Sequence, residues 1–183
     1  EPFEKARPLT NSFRPLYNYF WSEDGRYVLY VKDNNGDENN NVYAVDPLKA
    51  DSNNIPESRN LTPLKNISAQ IFMMSKKNPD LLIVGLNDRD KAWHDLYSLK
   101  ISSGELKMIY ENKDRVTGYD FDWNEDLKVL SRTDKNGTAE FLYKNGSSLK
   151  PIYKTLVTET AYIPAFNEDN TKFYIVTNKG NLD

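Results

Sequence analysis

A chain of 183 residues is about one ordinary domain in length, and 38% hydrophobic with 28% charged residues is the composition of a soluble globular protein. There is no cysteine, which excludes a disulfide framework and any thiolate metal site. The balance of 24 basic against 27 acidic side chains gives a net charge of −3, without the positive excess that grips a phosphate backbone. No run approaches the roughly 18 apolar residues of a membrane-spanning helix. The opening Glu1-Pro2-Phe3 lacks the basic and apolar order of a signal segment. Periplasmic, other extracytoplasmic and cytoplasmic locations are all compatible with these properties.

Twelve Tyr, eight Phe and three Trp give a chain rich in residues that suit pleated, half-buried surfaces. Tyr27-Val28-Leu29-Tyr30-Val31 is the first β-rich run. The polar stretch 33–41 separates it from Asn41-Val42-Tyr43-Ala44-Val45-Asp46, and the two read as a hairpin. Leu81 to Leu86, His94 to Lys100 and Leu106 to Tyr110 read as three further strands, the last two joined through Ser102-Ser103-Gly104-Glu105. Asn, Asp and Gly cluster at 33–37, 134–137, 144–146 and 178–180, where they suit the positive φ of tight turns. No segment sustains apolar residues at helical spacing over three turns, so the chain reads as all-β with little or no helix.

Repetition narrows the architecture. Residues 106–126 and 149–169 share nine identities in 21 aligned positions at an offset of 43, including Leu106-Lys107 with Leu149-Lys150 and Asn124-Glu125-Asp126 with Asn167-Glu168-Asp169. Arg7-Pro8-Leu9-Thr10 is echoed by Arg59-Asn60-Leu61-Thr62. With Ser22, Ser75, Asn124 and Asn167 taken as equivalent, the mean spacing is about 48 residues, the size of a four-stranded propeller blade. The expected fold is a β-propeller segment of four-stranded antiparallel blades, with three blades at 17–65, 69–115 and 118–158 and a partial fourth at 160–183, cut short at its C-terminal end. One such sheet cannot cover both its faces, so blades stack. Trp21, Met74, Trp123 and Phe166 precede the equivalent positions and are expected to pack between blades rather than to form a stacking platform for sugars or bases.

Trp21-Ser22-Glu23-Asp24-Gly25-Arg26, followed by Val42-Tyr43-Ala44-Val45-Asp46, resembles the repeat of WD-repeat-like propellers. In order, Asp33 to Asn39, Arg59-Asn60-Leu61-Thr62-Pro63, Gly85 to Asp90 and Trp93-His94-Asp95-Leu96-Tyr97 resemble the N-terminal propeller of prolyl oligopeptidase family serine peptidases, in particular the dipeptidyl aminopeptidase and acylaminoacyl peptidase-like branch. The resemblance covers most of residues 7–130 and reaches the remainder through the repeat. It implies a noncatalytic propeller that caps a C-terminal α/β-hydrolase domain, restricts the chamber to peptides, and leaves the serine nucleophile to that missing domain. The alternative is a propeller scaffold for protein binding in a periplasmic or cell-surface assembly. The partners expected are the hydrolase domain of the same parent chain and the parent's peptide substrates; a truncated arc of blades is also expected to self-associate.

Candidate reactive residues do not assemble into a catalytic set, and none is assigned; nor is any cofactor or metal ligand. A nucleophile elbow needs G-x-S-x-G, and Gly146-Ser147-Ser148 lacks that frame. His94, the one histidine, has Asp95 beside it, but adjacent strand residues point to opposite faces. The expectation is that Trp93 and His94 begin a strand and that His94 bonds a neighbouring turn. Asp33, Asn35 and Asp37 begin like a calcium loop, yet Glu38 stands at the glycine position and Ala44 where a bidentate Glu belongs, so turn chemistry is expected. Asp88-Arg89-Asp90-Lys91 reads as a charged rim loop, either solvated with local ion pairs or facing a partner domain or a charged peptide terminus. Asn60-Leu61-Thr62 and three similar triplets fit the glycosylation acceptor pattern, which an Asn-rich chain produces by chance.

Overall fold

A computed structural model describes residues 3–50 and 54–181. Its strands are β1 (Tyr19–Trp21), β2 (Val28–Lys32), β3 (Asn41–Val45), β4 (Arg59–Asn60), β5 (Ala69–Met74), β6 (Leu81–Asp90), β7 (Trp93–Lys100), β8 (Leu106–Tyr110), β9 (Gly118–Phe121), β10 (Leu127–Thr133), β11 (Ala139–Asn145), β12 (Ser148–Lys154), β13 (Ala161–Tyr162) and β14 (Val176–Thr177). They form three four-stranded sheets, each an antiparallel meander in chain order, and a two-stranded β13–β14 sheet extended by a Phe166–Phe173 bridge. This is the all-β architecture of propeller blades, and no sheet closes on itself. The helical content among the described residues is two short 3₁₀ turns, Phe3–Lys5 and Pro47–Lys49.

The chain divides into two compact units, residues 1–111 and 112–183. In the first, the alternation of β2, β3, β6 and β7 puts Leu29, Val42, Ala44, Leu82, Val84, Leu86 and Leu99 into one core with Leu61, Ile67, Ala69 and Ile101. Each buried aliphatic side chain there contributes about 1.5–3 kcal/mol before chain entropy is counted. In the second unit Val129, Phe141 and Phe166 are buried with Tyr143 and Phe173 against them.

The turn after the first strand is built alike in the first, third and fourth repeats, and it revises the repeat equivalences. The Ser22 amide donates to Tyr27 O at 2.9 Å, Gly25 N to Ser22 O at 2.8 Å, and Gly25 has φ +66°. Asn167 repeats this with Lys172 O and Asn170, whose φ is +58°. In the third repeat the matching residue is Asp122, bonded to Asp126 O and followed three residues on by Glu125 at φ +65°. Asp122, not Asn124, is therefore the equivalent of Ser22. The third turn closes one residue sooner than the first and fourth, so the Asn-Glu-Asp identity drew the alignment two residues out of step. Phe121, not Trp123, takes the place of Trp21 and Phe166.

The expected packing stripe is corrected accordingly. Phe166 is buried and Met74 packs against the first core, but Trp21 and Trp123 are 54% and 58% exposed. Trp123 lies on the turn, where its indole Nε1 donates to Phe166 O at 2.9 Å and its amide to Asn170 Oδ1.

The Arg59-Asn60-Leu61-Thr62 motif has a structural basis. Arg59 donates to the carbonyls of Ser102 and Ile101, tying β4 to the turn before β8, while Leu61 enters the core. Thr62, fully buried, accepts from Val42 N at 3.0 Å and donates to Asn41 Oδ1 at 3.1 Å. Thr155 plays the same part in the third sheet, accepting from Ala139 N at 2.9 Å. Thr62→Val keeps the shape but orphans the Val42 amide, and should lower unfolding free energy by about 1–3 kcal/mol in urea titration.

Candidate functional site

Two of the motifs that carry the family resemblance, Gly85 to Asp90 and Trp93 to Tyr97, form the β6–β7 hairpin. Strand β6 runs four residues past Leu86, so Asp88, Arg89 and Asp90 are strand residues and the expected charged loop is corrected to a turn at Lys91 and Ala92. Register passes from Leu86↔Asp95 to Asp90↔Trp93 through a bulge, and from within it the Arg89 side chain reaches Asp95. Such bulges re-aim side chains. Arg89 Nε and Nη2 each donate at 2.8 Å to the two oxygens of Asp95, whose side chain is 0% exposed. The bidentate geometry is the strong form of an ion pair, and it holds the Arg89 guanidinium further into its charged state. Glu111 Oε1 lies 3.8 Å from Arg89 Nε.

The rest of the hairpin is held as firmly. Tyr97 donates its hydroxyl to Asp88, 3.0 Å from both oxygens; burial first, and then the Asp88 carboxylate, push its phenol well above the ordinary range. Asn87 Oδ1 accepts from Ser68 N at 2.6 Å, and Lys91 Nζ donates to Asn66 O at 2.7 Å. His94 sits near the start of β7, as expected, with Nε2 2.9 Å from the Ser68 carbonyl, so this nitrogen carries the proton. Gly85 is required by close approach: a Cβ there would lie 2.5 Å from Phe72 Cε2 and 3.1 Å from His94 Cβ.

Burial lowers the His94 pKa below 6.5. Below pH 6.5 the unfolded chain therefore binds a proton that the folded chain resists, so stability falls as pH falls through that value. Equilibrium unfolding at pH 7.5 and 5.5 should show this loss, and His94→Gln should shrink it.

Chemically this is a positioning network. His94 and Asp95 do not form a relay: the histidine is turned to the Ser68 carbonyl and the carboxylate to Arg89. Residues 33–39 form a turn in which Asp37 Oδ1 accepts from the Asn34 and Asn39 amides at 3.0 Å each, holding its carboxyl below the usual range. Gly146 and Ser147 form the two-residue tip of the β11–β12 hairpin, Gly146 at φ +59°, remote in kind from a strand-to-helix elbow.

Sequence reasoning overlooked a second feature, on β1. A cleft of about 480 Å³ runs along this strand and β5, lined among others by Tyr17, Asn18, Tyr19, Asn40 and Gln70. It adjoins another of about 520 Å³ that shares Tyr17, Asn18 and Asn40 and is flanked by Arg14, Lys32 and Asp33. The segment 11–18 carries no periodic pattern, so its only signal was the group of aromatics ending in Tyr17, Tyr19 and Trp21.

No protein-family model matches the chain. Dipeptidyl aminopeptidase BIII of Pseudoxanthomonas mexicana is 35% identical over 144 residues, which are 78% of this chain and 20% of that protein. The chain is a relative of the dipeptidyl aminopeptidases. Dipeptidyl peptidase family member 6 of Caenorhabditis elegans is 26% identical over 133 residues, 70% of this chain and 17% of the relative. The chain thus spans about a fifth of the length of the curated relatives it matches. Among solved structures, oligopeptidase B of Leishmania major aligns with a TM-score of 0.48 at 11% identity, over 80% of this chain and 21% of that one. Oligopeptidase B of Trypanosoma brucei has the same TM-score and coverage at 16% identity. The expected resemblance to the propeller of the prolyl oligopeptidase family is borne out.

Proposed function

We propose that this chain is the noncatalytic propeller segment of a serine peptidase, capping an α/β-hydrolase domain in the parent and limiting access to peptides. The observation that carries the reading is the match to about a fifth of dipeptidyl aminopeptidase BIII, spread over 78% of this chain. The site chemistry supports it. The polar groups of the β6–β7 hairpin are engaged in fixing its shape, as suits a wall, and no side chain here is assigned the role of nucleophile or base. In this reading the catalytic serine, its base and its acid belong to the hydrolase domain.

A fluorophosphonate probe applied to the full-length parent and to this chain tests the proposal. Labelling of the parent at a serine outside these residues, with none on this chain, is the expected result. A folded parent that resists the probe would leave the alternative, a propeller scaffold for protein binding.

A further inference from the structure

Three Asn-Gly pairs occur in the chain, Asn35-Gly36, Asn136-Gly137 and Asn145-Gly146. Glycine has no Cβ to shield its nitrogen, so in such a pair the glycine amide can reach the Cγ of the asparagine before it. All three asparagines are exposed. What separates them is how each glycine amide is held and which charges stand beside it.

Gly137 N donates to Asp134 O at 3.0 Å, and the Asp134 carboxylate accepts from Asn136 N at 2.8 Å and Thr138 N at 3.0 Å. The amide that would have to lose its proton is bonded there, in a turn built around an anion. Gly36 lies between Asp33 and Asp37, whose carboxylates accept from the Glu38, Asn34 and Asn39 amides. Arg14 Nη1 lies against Gly36 but is paired with Asp33 at 3.4 Å, so two carboxylates face one cation. Asn145-Gly146 differs from both. It turns the β11–β12 hairpin with a positive φ on Gly146 and none on Ser147, the type II′ form. Asn145 pairs with Ser148 across the ladder, and at the tip Gly146 N donates to nothing among the described residues. Lys144 Nζ donates to Gly146 O at 2.8 Å, which fixes an ammonium on the residue whose amide must ionise. A neighbouring cation favours the deprotonated form of an acid, and a neighbouring carboxylate opposes it.

We propose that Asn145 is the preferred site of spontaneous side-chain amide loss in the folded chain, with Lys144 as the cation that favours it. The Gly146 nitrogen gives its proton to solvent and attacks Asn145 Cγ. A C–N bond closes a cyclic imide, and the side-chain nitrogen takes a proton back from solvent and leaves as ammonia. Water then opens the imide. Attack at Cγ leaves aspartate, and attack at the main-chain carbonyl leaves isoaspartate; in either case one amide and one water become one acid and one ammonia, with no change of oxidation state. Both products place a new carboxylate beside Lys144. The isoaspartyl form also routes the backbone through the side chain and lengthens it by a methylene inside the Asn145–Ser148 pair, which a two-residue hairpin loop does not absorb. The modification therefore changes both the charge and the register of the β11–β12 tip, and it is independent of the peptidase reading.

The test is to age this chain at about pH 8, remove samples over several weeks, and read the conversion of amide to acid by mass spectrometry. Cleavage after glutamate places Asn35, Asn136 and Asn145 in three separate peptides, 24–38, 126–140 and 141–159. In the folded chain Asn145 should convert at least fivefold faster than Asn136 and at least twofold faster than Asn35, and electron-transfer fragmentation should find isoaspartate at 145. Lys144→Gln, with a native circular dichroism spectrum, should slow conversion at Asn145 about two- to fourfold and leave Asn136 unchanged. In concentrated guanidinium chloride, where the turns are lost, the three rates should come within about twofold of one another. Conversion of Asn136 or Asn35 as fast as Asn145 in the folded chain overturns the proposal, as does an unchanged rate in folded Lys144→Gln. Aspartate alone at 145 would mean direct hydrolysis and overturn the imide route. An order of rates that persists in guanidinium would assign the preference to local sequence and overturn the role given to the fold.

Discussion

Arg89→Met should destabilise the first unit far more than its exposed position suggests. The side chain retains its stem, but the bidentate partner of Asp95 is lost, and that carboxylate is 0% exposed. Breaking a buried pair by removing one member typically costs about 3–5 kcal/mol, because the remaining charge stays out of water. Asp95→Asn should cost less, since it removes the buried charge and leaves the cation on a side chain 37% exposed. The double variant should therefore be more stable than Arg89→Met alone, with a coupling of at least about 1 kcal/mol in a double-mutant cycle followed by urea unfolding. Strictly additive costs would show that the two groups merely lie near each other. The expected loss concerns the shape of the hairpin, so under the proposed reading the same variants in a full-length parent should leave its labelling by a small fluorophosphonate unchanged.

How much of this was legible beforehand depends on which physical signal each feature left. The strands were readable from short β-rich apolar runs between turn residues, as in Leu82 to Leu86, which is buried throughout. Turns were readable where Asn-Gly and Asp-Gly clusters meet a positive φ, as at Gly25 and Gly36. The extension of β6 to Asp90 was not, since charges on consecutive residues look like a loop until the bulge and the Asp95 partner are known. The same holds for Trp123: identity with the fourth repeat placed it in a packing stripe, whereas turn length, which composition does not report, places it on the turn. His94 was understood from its lack of a suitably placed partner, a negative argument that the Ser68 contact makes positive. The cleft along β1 left almost no signal, because an open edge is a property of what does not pair.

The other large effect is a gain. Asp120 lies on β9 in register with Val129, a fully buried residue of the second core. No hydrogen bond or ion pair reaches its carboxyl among the described residues, and burial pushes its pKa up to about 6 from 3.8. Between these two values the folded chain keeps a proton that the unfolded chain has released, so stability declines as pH rises through the window and the full penalty applies above about pH 6. A shift of this size corresponds to at most about 3 kcal/mol, and partial exposure of the group reduces that to about 1–2 kcal/mol. Asp120→Asn should accordingly raise unfolding free energy by about that amount at pH 7.5 and by almost nothing at pH 3.5, read as a shift in urea midpoint with an unchanged slope. An equal gain at both pH values would locate the benefit in packing rather than charge. A loss at pH 7.5 would mean that the carboxylate is compensated in solution. Because the His94 contribution runs the opposite way with pH, the two variants measured side by side separate a charge the second unit holds at a cost from one the first unit declines to take up.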